Sequence, residues 1–448
     1  MTQPQTLADL ANSYANEYLS GIDTRRVFPS PDAIQRLDDL GGKLPAAPSD
    51  PRETLKLLHD IGAPATTASN GPNYFGFVIG ATLPVADAAE RLALAWDQCA
   101  SSAVNSPVMA YIERTAARWL LEILDLPRHS GVGFGTSATA CGLGCLAAAR
   151  LHLLTAAGWD LDRHGLRGSP QIRIVVPNTV HVTVKKAMRL LGFGIDDIVV
   201  VATDDFGRMD PGQIPELDPR TILVLQAGEV NTGEFDRFAE IIPAAKKAGA
   251  WVHVDGAFGL WARASRSLAE LTVGVEGADS WTTDGHKTLN TPYDGAVAIC
   301  RDADLLARTM NAEAAYAPSE PDAQKNLTLE FSRRARGLGF WSVMRSLGRS
   351  GIEDLVDGYH RHAQTVADGC RALNIEVLNR IAFNQVLCRL DTPEATIQFI
   401  EDIQRDGQVW FGQTLWQGQP AFRISVSSWR TDKVAVERLL DAIDRALR

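Results

Sequence analysis

A chain of 448 residues has room for two or three domains and a large core, and 45% hydrophobic with 22% charged content is that of an ordinary globular protein. A formal net charge of −10 argues against nucleic acid or an anionic membrane as partner, because both require a basic surface and the Arg333-Arg334-Ala335-Arg336 cluster is short. Six cysteines without CxxC spacing point to reduced core thiols, with neither a disulfide framework nor a metal site.

The stretch MTQPQTLADLANSY has no basic region followed by an apolar one, and charges interrupt the longest apolar runs, so a cytoplasmic protein without a signal peptide or membrane span is expected. Residues 1–70 read as a helical arm. Leu7, Leu10, Tyr14 and Leu19 fall near one face, and Pro29-Ser30-Pro31 and the 41–51 segment break it. Such an arm encloses no core of its own and must pack on something else. In residues 71–84, GPNYFGFVIGATLP, the aromatic side chains Tyr74, Phe75 and Phe77 sit among glycines, as core packing or as the lining of a site. Residues 86–103 and 107–126 read as helices.

Residues 131–150, GVGFGTSATACGLGCLAAAR, combine a glycine-rich turn, Thr136, Ser137 and Thr139 with an alanine-rich helix. That order describes an anion site: exposed N–H groups and the positive end of the helix dipole hold a phosphate, and hydroxyls add donors. A strand at 172–177 leads to His181, placed just before a helix, where a histidine is either a cap or a site residue. Further buried strands are expected at 198–201 and 221–226, the latter ending near Asn231 and Thr232, with a helix at 235–248. Next comes WVHVDGAFG, an apolar β-branched run that presents Asp255 at its C-terminal end, where open α/β sheets place ligand sites. In ADSWTTDGHK, a polar loop from Ser280 through Gly285 precedes His286 and Lys287, and 296–300 is the strand that leaves it. This alternation predicts an α/β fold with a mostly parallel sheet and helices on both faces.

Beyond residue 305, the 310–329 segment is polar, contains Pro318 and Pro321, and reads as a mobile loop. A long helical stretch follows. Strands at 375–378, 385–390 and 421–426, with helices at 394–406 and 433–446, make a small α+β domain that carries Arg423. Three parts are expected: an arm at 1–70, a large domain at 71–305, and the loop, connecting helix and small domain at 306–448.

An acid and a lysine on neighbouring strand ends form a plain salt bridge or, alternatively, suit an aldehyde cofactor with a pyridine ring. Lys287 would form the Schiff base and Asp255 would keep the ring nitrogen protonated. The wording HVDGAFG and DGHK resembles the core of the group II pyridoxal-phosphate decarboxylases, the family of glutamate and aromatic amino-acid decarboxylases, from about Gly71 to the C-terminus and closest to a bacterial branch. The resemblance implies fold type I, pyridoxal 5'-phosphate, and a homodimer across which the arm packs. It assigns Lys287, His181 and Asp255 to catalysis, with His181 stacked on the ring. It places Ser137, Ala138, Thr139, Asn231, Ser280 and His286 around the cofactor, and Phe75, Phe77 and Arg423 toward the substrate.

The implied reaction is decarboxylation of an L-amino acid through a Lys287 Schiff base and a quinonoid. An aldehyde-forming decarboxylase-oxidase, a carbon–carbon lyase, an aminotransferase and a catalytically silent cofactor-binding protein share the same signature. Departures from the family stand out. Ala140 replaces a glutamate, the residues after Phe77 are small and apolar, and Asp284 stands where aromatic decarboxylases have asparagine near the phosphate. The proton-donating tyrosine of the family's loop falls near Gln324, with Tyr316 upstream as a substitute.

Overall fold

The computed structural model describes residues 5–311 and 319–448; Tyr316 and Pro318 lie outside the described residues. Seven strands form one sheet in the order β1-β7-β6-β5-β4-β2-β3. They are β1 (Gly131–Gly135), β2 (Arg173–Pro177), β3 (Ile198–Val201), β4 (Thr221–Gln226), β5 (Trp251–Asp255), β6 (Ser280–Asp284) and β7 (Ala296–Cys300). From β6 through β3 the strands are parallel, whereas β7 runs antiparallel to both β6 and β1.

Strand alternation sorts the side chains onto two apolar faces. Ile174, Val176, Ile222 and Val224 pack with Leu146, Leu153 and Met188. Val175, Leu223, Leu225, Val252 and Val254 pack with Phe238, Ile241 and Trp261. Every residue of β4 is buried, as a central strand covered on both sides must be. The helix Ala138–Ala156 is apolar enough to pass for a membrane span, but its Cys141, Cys145, Leu146 and Leu153 are buried in the core.

The glycine-rich stretch is a strand and not the expected turn. Gly131–Gly135 pairs residue for residue with β7. Its glycines permit close approach: a Cβ on Gly133 would overlap the Leu327 carbonyl, and one on Gly131 would press on Ala303. The outer edge of β1 is covered by Gln324, whose Nε2 donates to Val132 O at 3.0 Å and whose Oε1 accepts from Phe134 N at 2.8 Å. Gln324, Lys325, Asn326 and Thr328 are all buried, so this end of the expected mobile loop is packed. Edge-strand amides leave polar groups that a neighbouring side chain must satisfy, and here one carboxamide satisfies two.

The chain then enters the helix Gly337–Ala372, which departs from helical geometry at Gly348 with φ 62°, a conformation glycine adopts without penalty. Ahead of it the buried pair Arg333–Glu113 is bidentate at 2.6 and 2.8 Å, and Arg333 also donates to Ala100 and Phe134 carbonyls. Strands β8 (Glu376–Val377), β9 (Gln385–Arg389), β10 (Gly412–Trp416) and β11 (Gln419–Ser425) form an antiparallel sheet in the order β10-β11-β9-β8. β10 was not anticipated from the sequence. Phe399, Phe411 and Phe422 fill the core of this sheet with ring separations of 5.2 to 6.2 Å.

Candidate functional site

The parallel register places Asp255 beside Thr282, so the C-terminal ends of β5 and β6 lie side by side. Asp284 closes β6, and the chain turns at once into a one-turn π-helix, Gly285–Leu289, that carries His286 and Lys287. Such a turn is a frequent feature of functional sites because it re-aims one side chain. Lys287 Nζ lies 3.2 Å from Asp284 Oδ2 and 6.0 Å from the centre of the Phe258 ring. Asp284 Oδ1 accepts from the Ala138 amide at 2.7 Å, and His286 Nε2 stands 3.7 Å from Oδ2. His286 stacks on Tyr293 at 4.3 Å, and its Nδ1 accepts from Gly295 N at 3.3 Å. Burial, partly opposed by Asp284, pulls the His286 imidazole below the usual histidine range.

Ser137 is the N-cap of the helix Ala138–Ala156 and accepts from Ala140 N at 3.3 Å. Ala138 gives its amide to Asp284. Among the described residues, Thr139 N is therefore the one amide of the first three without a protein partner. The helix N-terminus at Ser137 through Thr139, expected from the sequence to hold an anion, thus leaves one amide and two hydroxyls for a ligand.

His181, read from the sequence as a cap or a site residue, is a helix cap that also lines a cleft. It caps the helix Val182–Leu190, with Nδ1 3.4 Å from Thr183 N and 2.7 Å from Thr183 Oγ1. Burial lowers its proton affinity, the Asp255 charge opposes this, and Lys287 and Arg423 reinforce it. Burial raises Asp255 above the usual carboxylate range, against the pull of His181 and Lys287. The three groups thus share one electrostatic field. Asp255 accepts a hydrogen bond from Ala257 N at 3.2 Å and has no ion pair among the described residues. Asp255 is half-buried, and a carboxylate held partly out of water gains when a cationic partner arrives. A protonated pyridine nitrogen is such a partner, and the free Thr139 amide with the hydroxyls of Ser137 and Thr139 suits a phosphate. The donor set fits pyridoxal 5'-phosphate.

Two expected site residues lie elsewhere. Ser280 begins β6; its Oγ accepts from Trp251 Nε1 at 3.0 Å and lies 2.9 Å from His253 Nδ1. The four residue steps from Ser280 to Asp284 span roughly 13 Å of strand, so this hydroxyl belongs to the core and not to the cofactor. Phe75 is fully buried in the C-terminal core with Tyr359 and Phe411. Phe77 is 62% exposed, takes φ 54° and stacks on Trp410 at 5.4 Å; Tyr74 stacks on the same indole at 5.2 Å.

Asn231 is expected from the sequence to lie at the cofactor. Its side chain is engaged by Glu229 at 3.1 Å and by Thr414 Oγ1 at 2.7 Å. It lines a cleft of about 520 Å³ together with Thr179, His181, Asp204, Glu229 and Trp416. Arg423 donates to the Val230 carbonyl beside this cleft, and burial lowers its proton affinity against the opposing charge of Glu229.

Sequence reasoning missed Asn290, the residue that ties the site together. At φ 55° it donates to Lys287 O at 2.7 Å and Ser427 O at 2.9 Å, and accepts from Trp429 N at 2.7 Å. Gly80 N donates to His286 O at 3.2 Å, which brings the 71–84 loop against the lysine turn.

Residues 35–390 match the family model described as the pyridoxal-dependent decarboxylase conserved domain. Tryptophan decarboxylase 1 of Oryza sativa subsp. japonica is 26% identical over 93% of this chain and 88% of its own length. L-2,4-diaminobutyrate decarboxylase of Rhizobium meliloti (strain 1021) is 25% identical over 97% and 88%. In fold, the chain is similar to the crystal structure of Oryza sativa TDC with PLP and tryptamine, with a TM-score of 0.89 at 23% identity over 100% and 99% of the two chains. The crystal structure of mouse CSAD in apo form gives 0.89 at 18% identity over 98% of each.

Proposed function

The chain belongs to the pyridoxal-dependent decarboxylase family, with pyridoxal 5'-phosphate as cofactor, and from that premise we propose that Lys287, Asp255 and His181 are the groups with which it removes the α-carboxylate of an L-amino acid. The observation that carries this assignment is the half-buried carboxylate of Asp255, without an ion pair among the described residues, at the strand end adjoining the one that leads to Lys287. Lys287 would hold the cofactor, which would supply an electron sink for a bond broken at the substrate's α-carbon. Asp255 holds the proton on the ring nitrogen. His181, kept neutral by burial and fixed through Thr183, presents its ring face and its free Nε2 to the reacting centre. Ser137 and Thr139 hold the phosphate, His286 packs beside it, and Lys287, once displaced by substrate, is placed to return a proton to the α-carbon. Phe77 and Arg423 flank the substrate's side.

A homodimer is part of this proposal, with a cytoplasmic location. Leu92, Leu94, Trp96, Val104, Val108 and Tyr111 are 44–69% exposed across adjoining segments, an apolar surface that a second copy would cover. The arm, whose helix Leu7–Ser20 buries no residue, would pack there too. Residues 1–70, 71–305 and 306–448 are proposed as arm, cofactor domain and small domain.

Incubation of the purified enzyme with the protein amino acids and common non-protein ones, reading carbon dioxide, amine, aldehyde and ammonia together, tests the reaction. Carbon dioxide with one equivalent of amine is expected. Carbon dioxide with aldehyde and ammonia would identify an oxidative decarboxylase, and turnover without carbon dioxide would overturn the assignment. Sedimentation at micromolar concentration tests the dimer.

A further inference from the structure

Among residues near Lys287, Asp284 is the least expected, and its two oxygens have separate partners. Oδ1 holds the first amide of the helix Ala138–Ala156 at 2.7 Å, and Oδ2 lies 3.2 Å from Lys287 Nζ and 3.7 Å from His286 Nε2. The side chain is 2–3% exposed. A helix of this length offers its first amides to an anion, and here an anion from the protein itself has taken one of them.

We propose that Asp284 is an internal competitor for the cofactor's phosphate, a carboxylate that occupies part of the phosphate seat and sets how tightly this enzyme holds pyridoxal phosphate. The inference rests on the assignment of Ser137 through Thr139 as that seat. Two negative groups at one helix end repel strongly where water is excluded. Before the cofactor arrives, Lys287 balances Asp284. Lys287 is also the amine that would hold the cofactor, so Asp284 would then share its counter-charge with the bound group. Asparagine at this position would keep a side-chain acceptor for Ala138 N and add a donor for the phosphate, without the repulsion.

The test uses cofactor-free enzyme and three probes in separate arms: pyridoxal 5'-phosphate, inorganic phosphate, and pyridoxal, which lacks the phosphate. Binding is followed by equilibrium dialysis and by circular dichroism of the bound chromophore. In Asp284→Asn, affinity for pyridoxal phosphate and for inorganic phosphate is expected to rise by about tenfold or more, the effect of one removed like charge in a buried site, with affinity for pyridoxal changed far less. Asp284→Glu, which keeps the charge, is expected to stay near wild type in all three arms and covers the case in which the asparagine variant does not fold. Unchanged or weaker phosphate binding in Asp284→Asn, or a Glu variant that gains affinity as the neutral one was expected to, would overturn the proposal. Failure of pyridoxal phosphate to attach to wild-type enzyme at all would instead remove the cofactor-seat assignment beneath it.

Discussion

The side-chain amide of Asn290 donates to the main-chain carbonyl of Lys287 at 2.7 Å while its oxygen accepts from Trp429 N, so one residue joins the lysine turn to the C-terminal segment. With the bond to Ser427 O its side chain makes three hydrogen bonds of 2.9 Å or less from a fully buried position at φ 55°. Asn290→Ala removes all three and leaves a β-carbon in a left-handed conformation. A loss of about 2–4 kcal/mol in urea unfolding is expected. Asn290→Gly, which relieves the backbone but not the lost bonds, should recover only a small part. Equal stability of the three proteins would show that the lysine turn is held by other means.

Gly80→Ala tests the contact from the opposite side. A β-carbon at Gly80 would overlap the Lys287 carbonyl and the Asn290 amide, neither of which is the free end of a flexible chain. The lysine turn must shift, at a cost of about 1–3 kcal/mol, and because catalysis depends on sub-ångström placement, kcat is expected to fall at least about tenfold. Steady-state kinetics with a measured cofactor content separates slow chemistry from lost cofactor.

How much of this was legible beforehand depended on range. The strands carrying Ile174, Leu223 and Val252 were readable because a buried parallel strand needs a run of apolar residues, and Asp255 because it ends such a run. Ser280 misled because it belongs to the same polar-looking segment as Lys287, yet an extended strand carries it to the far end of β6. Phe75 and Phe77 could not be told apart locally. Their opposite fates follow from Trp410, which lies against Gly76, and from left-handed backbone at Phe77 and Val78. Gln324 was read as a place on a mobile loop. Its real work, satisfying the edge of β1, depends on a pairing nearly two hundred residues away in sequence. Asp284 looked misplaced beside a phosphate, and only the fold reveals the amide it holds.

Asp255→Asn separates binding from chemistry. The amide is nearly isosteric and can still accept from Ala257 N, so cofactor retention should persist, but a neutral side chain cannot keep the ring nitrogen protonated. A fall in kcat of about 10²–10⁴-fold is expected at nearly unchanged cofactor content. Full activity in this variant would remove Asp255 from its assigned role.

Acid sensitivity has a source away from the site. Burial drives the His253 imidazole, enclosed by Trp251 and Ser280, from 6.5 down to about 3. The unfolded chain therefore binds a proton that the folded chain refuses. Stability from this residue is complete above about pH 6.5 and is lost progressively as pH falls toward 3. At pH 5 the loss from His253 alone amounts to about 2 kcal/mol, one and a half pH units at 1.36 kcal/mol each. His253→Gln keeps a group able to meet the Ser280 hydroxyl and cannot titrate. The difference in unfolding free energy between pH 7.5 and pH 5 should accordingly be smaller in the variant by that amount. The same difference in both proteins would mean that His253 takes up its proton without unfolding.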